Sequence, residues 1–250
     1  MINIPISQSI RFRPINTAPA NFDNTFFNEG DGKYVQFVNP YNLKIQLSRL
    51  TASPGVAKMF VLECNGTETE CTNVFEFAIS DRTFTTFDID FSGWIGKKLR
   101  LKTTDNSVLT HISESFTVEE QPTFYKLNWF NKENSFLTDY SNGLVNEMML
   151  EAAEDWNAGG ESSVYTNQGE PTILKDITTR IMTLKGEAPD YICEQLRIAM
   201  AHDSFFVNEI QQVKVKEPTF TRLGRSSRMY SFTIELQQKT IIGINTHDVG

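Results

Sequence analysis

From Lys33 to Val118 the chain breaks into short segments rich in β-branched and aromatic residues, each closed by residues that favour turns. This spacing constrains the fold more than any other feature of the sequence. It predicts strands at Ser9–Ile15, Lys33–Val38, Leu43–Leu50, Lys58–Cys64, Asn73–Ile79, Thr83–Ile89, Lys97–Thr103 and Val108–Val118. The interruptions have mechanisms. Asn39-Pro40 stops a strand because proline lacks the N–H donor, and Asp105-Asn106 tolerates the left-handed conformation of a tight hairpin. Phe84, Phe87 with Ile89, Leu99 with Leu101, then Ile112, Phe116 and Val118 alternate as the inward face of a half-buried sheet. Asp90 to Gly96 reads as a corner where the chain crosses from one sheet to another, pinned by Phe91 and Trp94.

That corner resembles the last three strands of immunoglobulin-like or fibronectin-type sandwiches. The expected fold class is mainly β, with an N-terminal immunoglobulin-like β-sandwich over 33–122 and a β-rich domain with one α-helix over 123–250. Glu119-Glu120-Gln121-Pro122 marks the boundary. Beyond it strands are expected at Phe124–Phe130, Val145–Glu151, Ser163–Asn167 and Ile173–Leu184. Met148 to Trp156 also has helix-favouring residues, but Ala158-Gly159-Gly160 stops a helix quickly, and a strand is preferred there. The helix spans 189–202: Pro189 suits a first-turn position, Asp190 lies near the positive end, and an apolar stripe runs to Met200. Phe205–Val207 and Gln211–Lys216 then form a hairpin, and Met229–Gln238 alternates as a closing strand.

Composition excludes whole classes. With 40% hydrophobic and 22% charged residues the chain is globular, and no membrane span is visible. The opening Met1–Pro14 lacks the basic and apolar regions of a secretory signal, so the chain is expected to stay where it is made. A net charge of −8 disfavours broad binding to a phosphate backbone. No GxSxG, GxGxxG or Walker-type loop occurs, and no catalytic residue, cofactor site or metal site is expected. His111, His202 and His247 lack metal-ligand spacing, and a helix C-terminus favouring a cation explains His202. Asp88 and Asp90 share a strand face that could bind calcium, but a solvated face looks the same and the dense Asp/Asn/Gly loop of a dedicated site is missing. Cys64 and Cys71 could be bridged across a hairpin in an oxidising compartment, which the missing export signal disfavours, and Cys193 reads as a small core residue.

Two groups remain as candidate interfaces. Arg222, Arg225 and Arg228 surround a hairpin loop and suit contact with an acidic neighbouring subunit, or nucleic acid inside a particle, or a plain solvated loop. On an acidic chain protein contact is favoured. Phe22, Phe26 and Phe27 lie in the polar stretch Asn21–Gly32, within an extended arm expected over 1–32. Rings in such a stretch fold back over the sandwich or dock on another chain.

The segments FYKLNWFNKENSFLTDYSNG at Phe124–Gly143 and PDYICEQLRIAMAHDSFFVNEIQQVKVKEP at Pro189–Pro218 carry a resemblance, through Lys126, Trp129 and Asn131, then Tyr140, Ser141 and Gly143. The chain resembles, over about residues 75–240, virion structural proteins of tailed phages that infect Bacteroidetes, including the crAss-like group. The resemblance implies a non-enzymatic subunit of a homo-oligomeric ring in the tail or neck. Its implied partners are further copies of itself, other tail or neck proteins and passing DNA held without specific binding, with no membrane; its implied location is the virion, assembled in the host cytoplasm. A glycan- or receptor-binding sandwich module is the alternative, and it predicts a solvent-accessible face bearing Trp94, Trp129 or Trp156.

Overall fold

Strands dominate the computed structural model, which describes residues 2–3, 10–15, 36–41, 43–51, 56–104, 110–120, 124–134, 138–141, 143–167, 170–225 and 227–238, with the backbone alone at 2–3, 15, 73–74 and 158–179. In the first half these are β1 (Ile2–Asn3), β2 (Phe12–Ile15), β3 (Gln36–Val38), β4 (Leu43–Leu50), β5 (Lys58–Glu63) and β6 (Glu68–Glu70). They continue as β7 (Asn73–Ile79), β8 (Arg82–Ile89), β9 (Lys98–Thr104), β10 (Thr110–Ser113) and β11 (Phe116–Val118). One sheet runs β1-β4-β8-β7. The other runs β2-β10-β9-β11-β3, with β5 on the opposite side of β9 and β6 beyond it.

The alternating residues decide how the two sheets meet. Ile45, Leu47, Phe87 and Ile89 from the first sheet share one buried cluster with Met59, Val61, Leu99, Leu101, Phe116 and Val118 from the second. The fully buried Phe87, Phe91 and Phe116 each contribute about 1.5–3 kcal/mol of burial energy. The chain passes from β8 in one sheet to β9 in the other through a single 3₁₀ turn, Ser92–Trp94, as the Asp90–Gly96 corner predicts. There the Asp90 carboxylate accepts the Ser92 N–H at 2.8 Å, Phe91 meets Phe116 edge to face, and Gly96 adopts φ +76°. On the outer faces of β4 and β8, Gln46, Ser48, Phe84 and Thr86 are buried too. Gln46 reaches out of β4 to take the backbone of Asp139, donating to its carbonyl at 3.0 Å and accepting its N–H at 2.8 Å. The second half therefore packs on the sandwich through a buried polar clasp, with β3 and Phe37 also against it.

The second half holds β12 (Tyr125–Phe130), β13 (Asn146–Leu150), β14 (Ala153–Asn167), β15 (Glu170–Pro189), α1 (Asp190–Met200), β16 (Ser204–Val207), β17 (Ile210–Lys214), β18 (Thr219–Arg222) and β19 (Met229–Gln238). Its sheet runs β13-β12-β16-β17-β19-β15-β14, with β18 also on β19. Only Glu151 and Ala152 separate β13 from β14, yet these strands end opposite sides of that path, so the sheet must curl back towards itself. The curl encloses one core in which Trp129, Leu184, Phe232 and Ile234 meet Ile192, Leu196 and Ala199 of α1. At Gly186 the backbone is closely approached: a Cβ there would lie 2.6 Å from Phe232 Cζ and 2.7 Å from the Glu151 carbonyl oxygen.

Several expectations need correction. The strand expected at Ser9–Ile15 is β2, which pairs with β10, and β1 pairs with β4, so the described residues ahead of Gln36 include strands of both sheets. The strand expected over Val108–Val118 is split at Glu114 and Ser115, both fully buried, where Glu114 turns its carboxylate to Arg11. The strands expected at Ser163–Asn167 and Ile173–Leu184 are longer than expected: they belong to one β14–β15 hairpin that runs back through Gly159 and Gly160, which pair with Thr179 and Thr178. Pro189 is the residue before the helix, extended at φ −66°, ψ 158°, and not in its first turn. Cys64 and Cys71 are unbridged, in line with the reading that disfavours a disulfide there.

Candidate anion-binding groove

Where the sandwich meets the helix, a groove of about 560 Å³ opens between β2, α1 and the β18–β19 hairpin. Each wall has a local cause. Arg13 pairs across β2 with Ile112, and Arg11 just before it exchanges backbone and side-chain bonds with Glu114. The Arg11 N–H donates to Glu114 Oε1 at 3.1 Å, its Nη2 lies 3.3 Å from Oε2, and the Glu114 N–H returns to the Arg11 carbonyl at 2.9 Å. Burial pushes the Glu114 carboxyl above its ordinary range, against the opposing pull of Arg11 and the Tyr191 hydroxyl.

The helix supplies the second wall. Ile192, Cys193, Leu196, Ala199 and Met200 face the core, which leaves Tyr191, Glu194 and Arg197 to the groove side at helical spacing. Arg11 lies 3.4 Å over the Tyr191 ring, and Arg197 lies 4.7 Å over Phe220 of β18 while pairing with Glu194 at 3.1 Å. Such stacking fixes the planes of the two guanidinium groups, which also pair with Glu114 and Glu194. The third wall is β18 and β19, with Phe220, Tyr230 and Arg228, whose carbonyl accepts the Asp190 N–H at 2.9 Å. Four arginines and two carboxylates, Asp190 and Glu194, thus line one cavity in a chain of net charge −8. Chemically this is a place for carboxylate or phosphate oxygens, with aromatic faces between the donors.

Of the candidate residues read from sequence, Arg228 alone lines the groove. Arg222 braces the hairpin loop by donating from Nε to the Ser227 carbonyl at 2.6 Å, and Arg225 is exposed beyond it. Phe22, Phe26 and Phe27 lie outside the described residues. Sequence reasoning missed Arg11, Arg13 and Arg197. The one available signal was the Arg11-Phe12-Arg13 spacing, which places both arginines on the same side of a strand.

Elsewhere the titratable groups serve packing. Tyr140 donates to His202 Nε2 at 2.8 Å and accepts from Asn146 Nδ2 at 2.9 Å, while His202 Nδ1 lies 2.6 Å from the Ile198 carbonyl and must carry the proton. Burial lowers the His202 pKa, so the expected preference of the helix end for a cation is outweighed. The Cys193 thiol is pushed up to about 12 by burial, which leaves it little thiolate character. Among the described residues no three His, Cys, Asp or Glu side chains come together to hold a metal ion, and no helix is long and apolar enough to cross a membrane. No family model, curated protein or solved structure matches the chain at a significant level.

Proposed function

We propose that the chain is a non-enzymatic structural subunit of a phage virion, one copy in a ring of the tail or neck. The observation that carries this reading is the β14–β15 hairpin. Residues 181–189 of β15 pair with β19, but among the described residues 170–180 pair with β14 alone, as a two-stranded ribbon roughly 35 Å long. A ribbon of two strands is marginal in water by itself, so an extension of this length calls for support from outside the fold. Among the described residues β14 is also a sheet edge, offering backbone donors and acceptors to another chain. A neighbouring copy in a closed ring supplies both, and the resemblance over about residues 75–240 points the same way. The order β1-β4-β8-β7 facing β6-β5-β9-β10 supports the immunoglobulin-like reading of the sandwich.

Light scattering on the purified protein, with images of the same sample, tests the proposal. Discrete rings of one copy number are expected; a protein that stays monomeric at tens of micromolar and is missing from virions overturns it. One observation favours the glycan- or receptor-binding reading: Trp156 is 45% exposed, with Arg180 5.6 Å from its ring. Trp129 is fully buried and Trp94 half-buried, which weighs against a tryptophan-lined face. Glycan-array binding lost in Trp156→Ala would favour that reading.

A further inference from the structure

We propose that β7 pairs with β7 of a second copy of this chain, antiparallel about a two-fold axis that sets Phe77 opposite Phe77. The contact needs only two copies and stands apart from the ring reading; within a ring it joins copies of two rings.

The argument begins with an uncovered edge. Among the described residues β7 ends the order β1-β4-β8-β7, so one side of Asn73–Ile79 has no partner strand. The bulge between Asn73 and Phe75 leaves Phe75 to Ile79 in regular register with β8. Phe75, Phe77 and Ile79 alternate on the face away from the sandwich core. Glu76 takes the other face, where Arg49 holds it at 3.4 Å and the Thr85 hydroxyl donates to it at 3.2 Å. Phe77 stacks on Phe84 with centroids 5.2 Å apart, and Phe75 lies 5.2 Å from Phe77. Leu50 of β4 carries the apolar row on past Arg82. Phe75, Ile79 and Leu50 are 39%, 44% and 43% exposed. An edge that joins unpaired backbone groups to an apolar face is a template for one more strand.

Register and charge select the occupant. With Phe77 on the axis, Phe75 faces Ile79 of the second copy and Ile79 faces its Phe75, so three apolar pairs meet on one face. Glu76 then faces Ala78, and no like charges oppose each other. Moving the axis to Glu76 sets two carboxylates opposite, and moving it to Ala78 sets Phe75 against Asp81. The edges of β6 and β14 match less well. Glu68, Thr69 and Glu70 bring two carboxylates, and the run from Glu154 to Glu161 brings three, with two glycines and a single aromatic, Trp156. Five paired residues span about 17 Å, which places the contact at the small end of specific interfaces. A dissociation constant on the order of 10 μM is therefore expected.

The test is a charge swap across the axis, read by sedimentation at roughly tens of micromolar protein. Phe75→Glu and Ile79→Lys, made separately, each set a charge against an apolar side chain twice per pair. Each is expected to halve the mass of the wild-type particle, be it a dimer or a double ring, with an unchanged circular dichroism spectrum. Mixing the two proteins, or making both changes in one chain, sets the new carboxylate opposite the new ammonium group and is expected to restore the mass. The milder Ile79→Thr keeps a β-branched side chain and is expected to weaken the pairing by roughly tenfold. A wild-type protein that stays monomeric overturns the proposal, as do single variants that the mixture fails to rescue. Wild-type rings whose mass neither single variant changes overturn this contact and leave the ring reading standing. A dimer that the single variants split, from a protein that forms no rings, supports the contact and overturns the ring reading.

Discussion

Arg11 and Glu114 stand 103 residues apart in sequence and meet at 3.3 Å, with the Glu114 side chain wholly shielded from water. Their pairing joins β2 to the end of β10 and faces the ring of Tyr191 on the helix, so a single ion pair links the sandwich to the groove. Breaking it from one side leaves a buried carboxylate without its cation. Arg11→Ala is expected to lower unfolding free energy by about 3 kcal/mol in urea titrations at neutral pH.

The same carboxylate gives a pH signature. Its folded pKa is raised above the unfolded value of about 4.3, so the folded state holds the proton more tightly. Glu114 therefore contributes stability that is complete below the unfolded pKa and lost as pH rises through the folded pKa. In Glu114→Gln this decline over mildly acidic pH is expected to flatten, measured by urea midpoints at successive pH values; an unchanged slope would show that other groups cause it.

His202 works in the opposite sense. Its folded pKa lies below the ordinary histidine value of about 6.5, so its contribution is present above the unfolded pKa and lost as pH falls through the folded one. Tyr140→Phe removes the hydroxyl bonded to His202 Nε2 and is expected to cost about 1 kcal/mol. NMR titration of the His202 ring is expected to show a midpoint below that of an unfolded peptide.

Gly186→Ala forces a Cβ to within 2.6 Å of the Phe232 ring and 2.7 Å of the Glu151 carbonyl oxygen. The carbonyl belongs to the bend that leads from β13 into β14, so it cannot move alone. Overpacking of this kind is expected to cost about 2 kcal/mol, read as a lowered urea midpoint.

Gln46→Ala removes both bonds to the Asp139 backbone and the one to Thr86 Oγ1 at 3.2 Å. Since these groups are buried, a loss of about 2–3 kcal/mol is expected. Hydrogen exchange at the Asp139 amide is expected to accelerate in the variant.

Much of this architecture follows from local rules. Alternation at Phe87 and Ile89, and at Leu99 and Leu101, is enough to expect a sheet face, because a strand's period of two depends only on backbone geometry. The helix is legible for the same reason, in the apolar stripe from Ile192 to Met200 after Pro189. Of the long hairpin, Ser163–Asn167 and Ile173–Leu184 were legible as strands; its reach back through Gly159 and Gly160 was not, since glycines carry no local strand preference and only a partner strand satisfies their backbone.

What tertiary structure alone decided is the placement of charge. Counting residues establishes that the chain is acidic, and it locates Arg222, Arg225 and Arg228 around one loop. It cannot show that Arg11, Arg197 and Arg228, spread over more than two hundred residues, face one cavity. That depends on β2 pairing with β10 and on which side α1 turns to the core. Strand periodicity is set by neighbours along the chain; an electrostatic field is set by distances through space, and only the fold determines those.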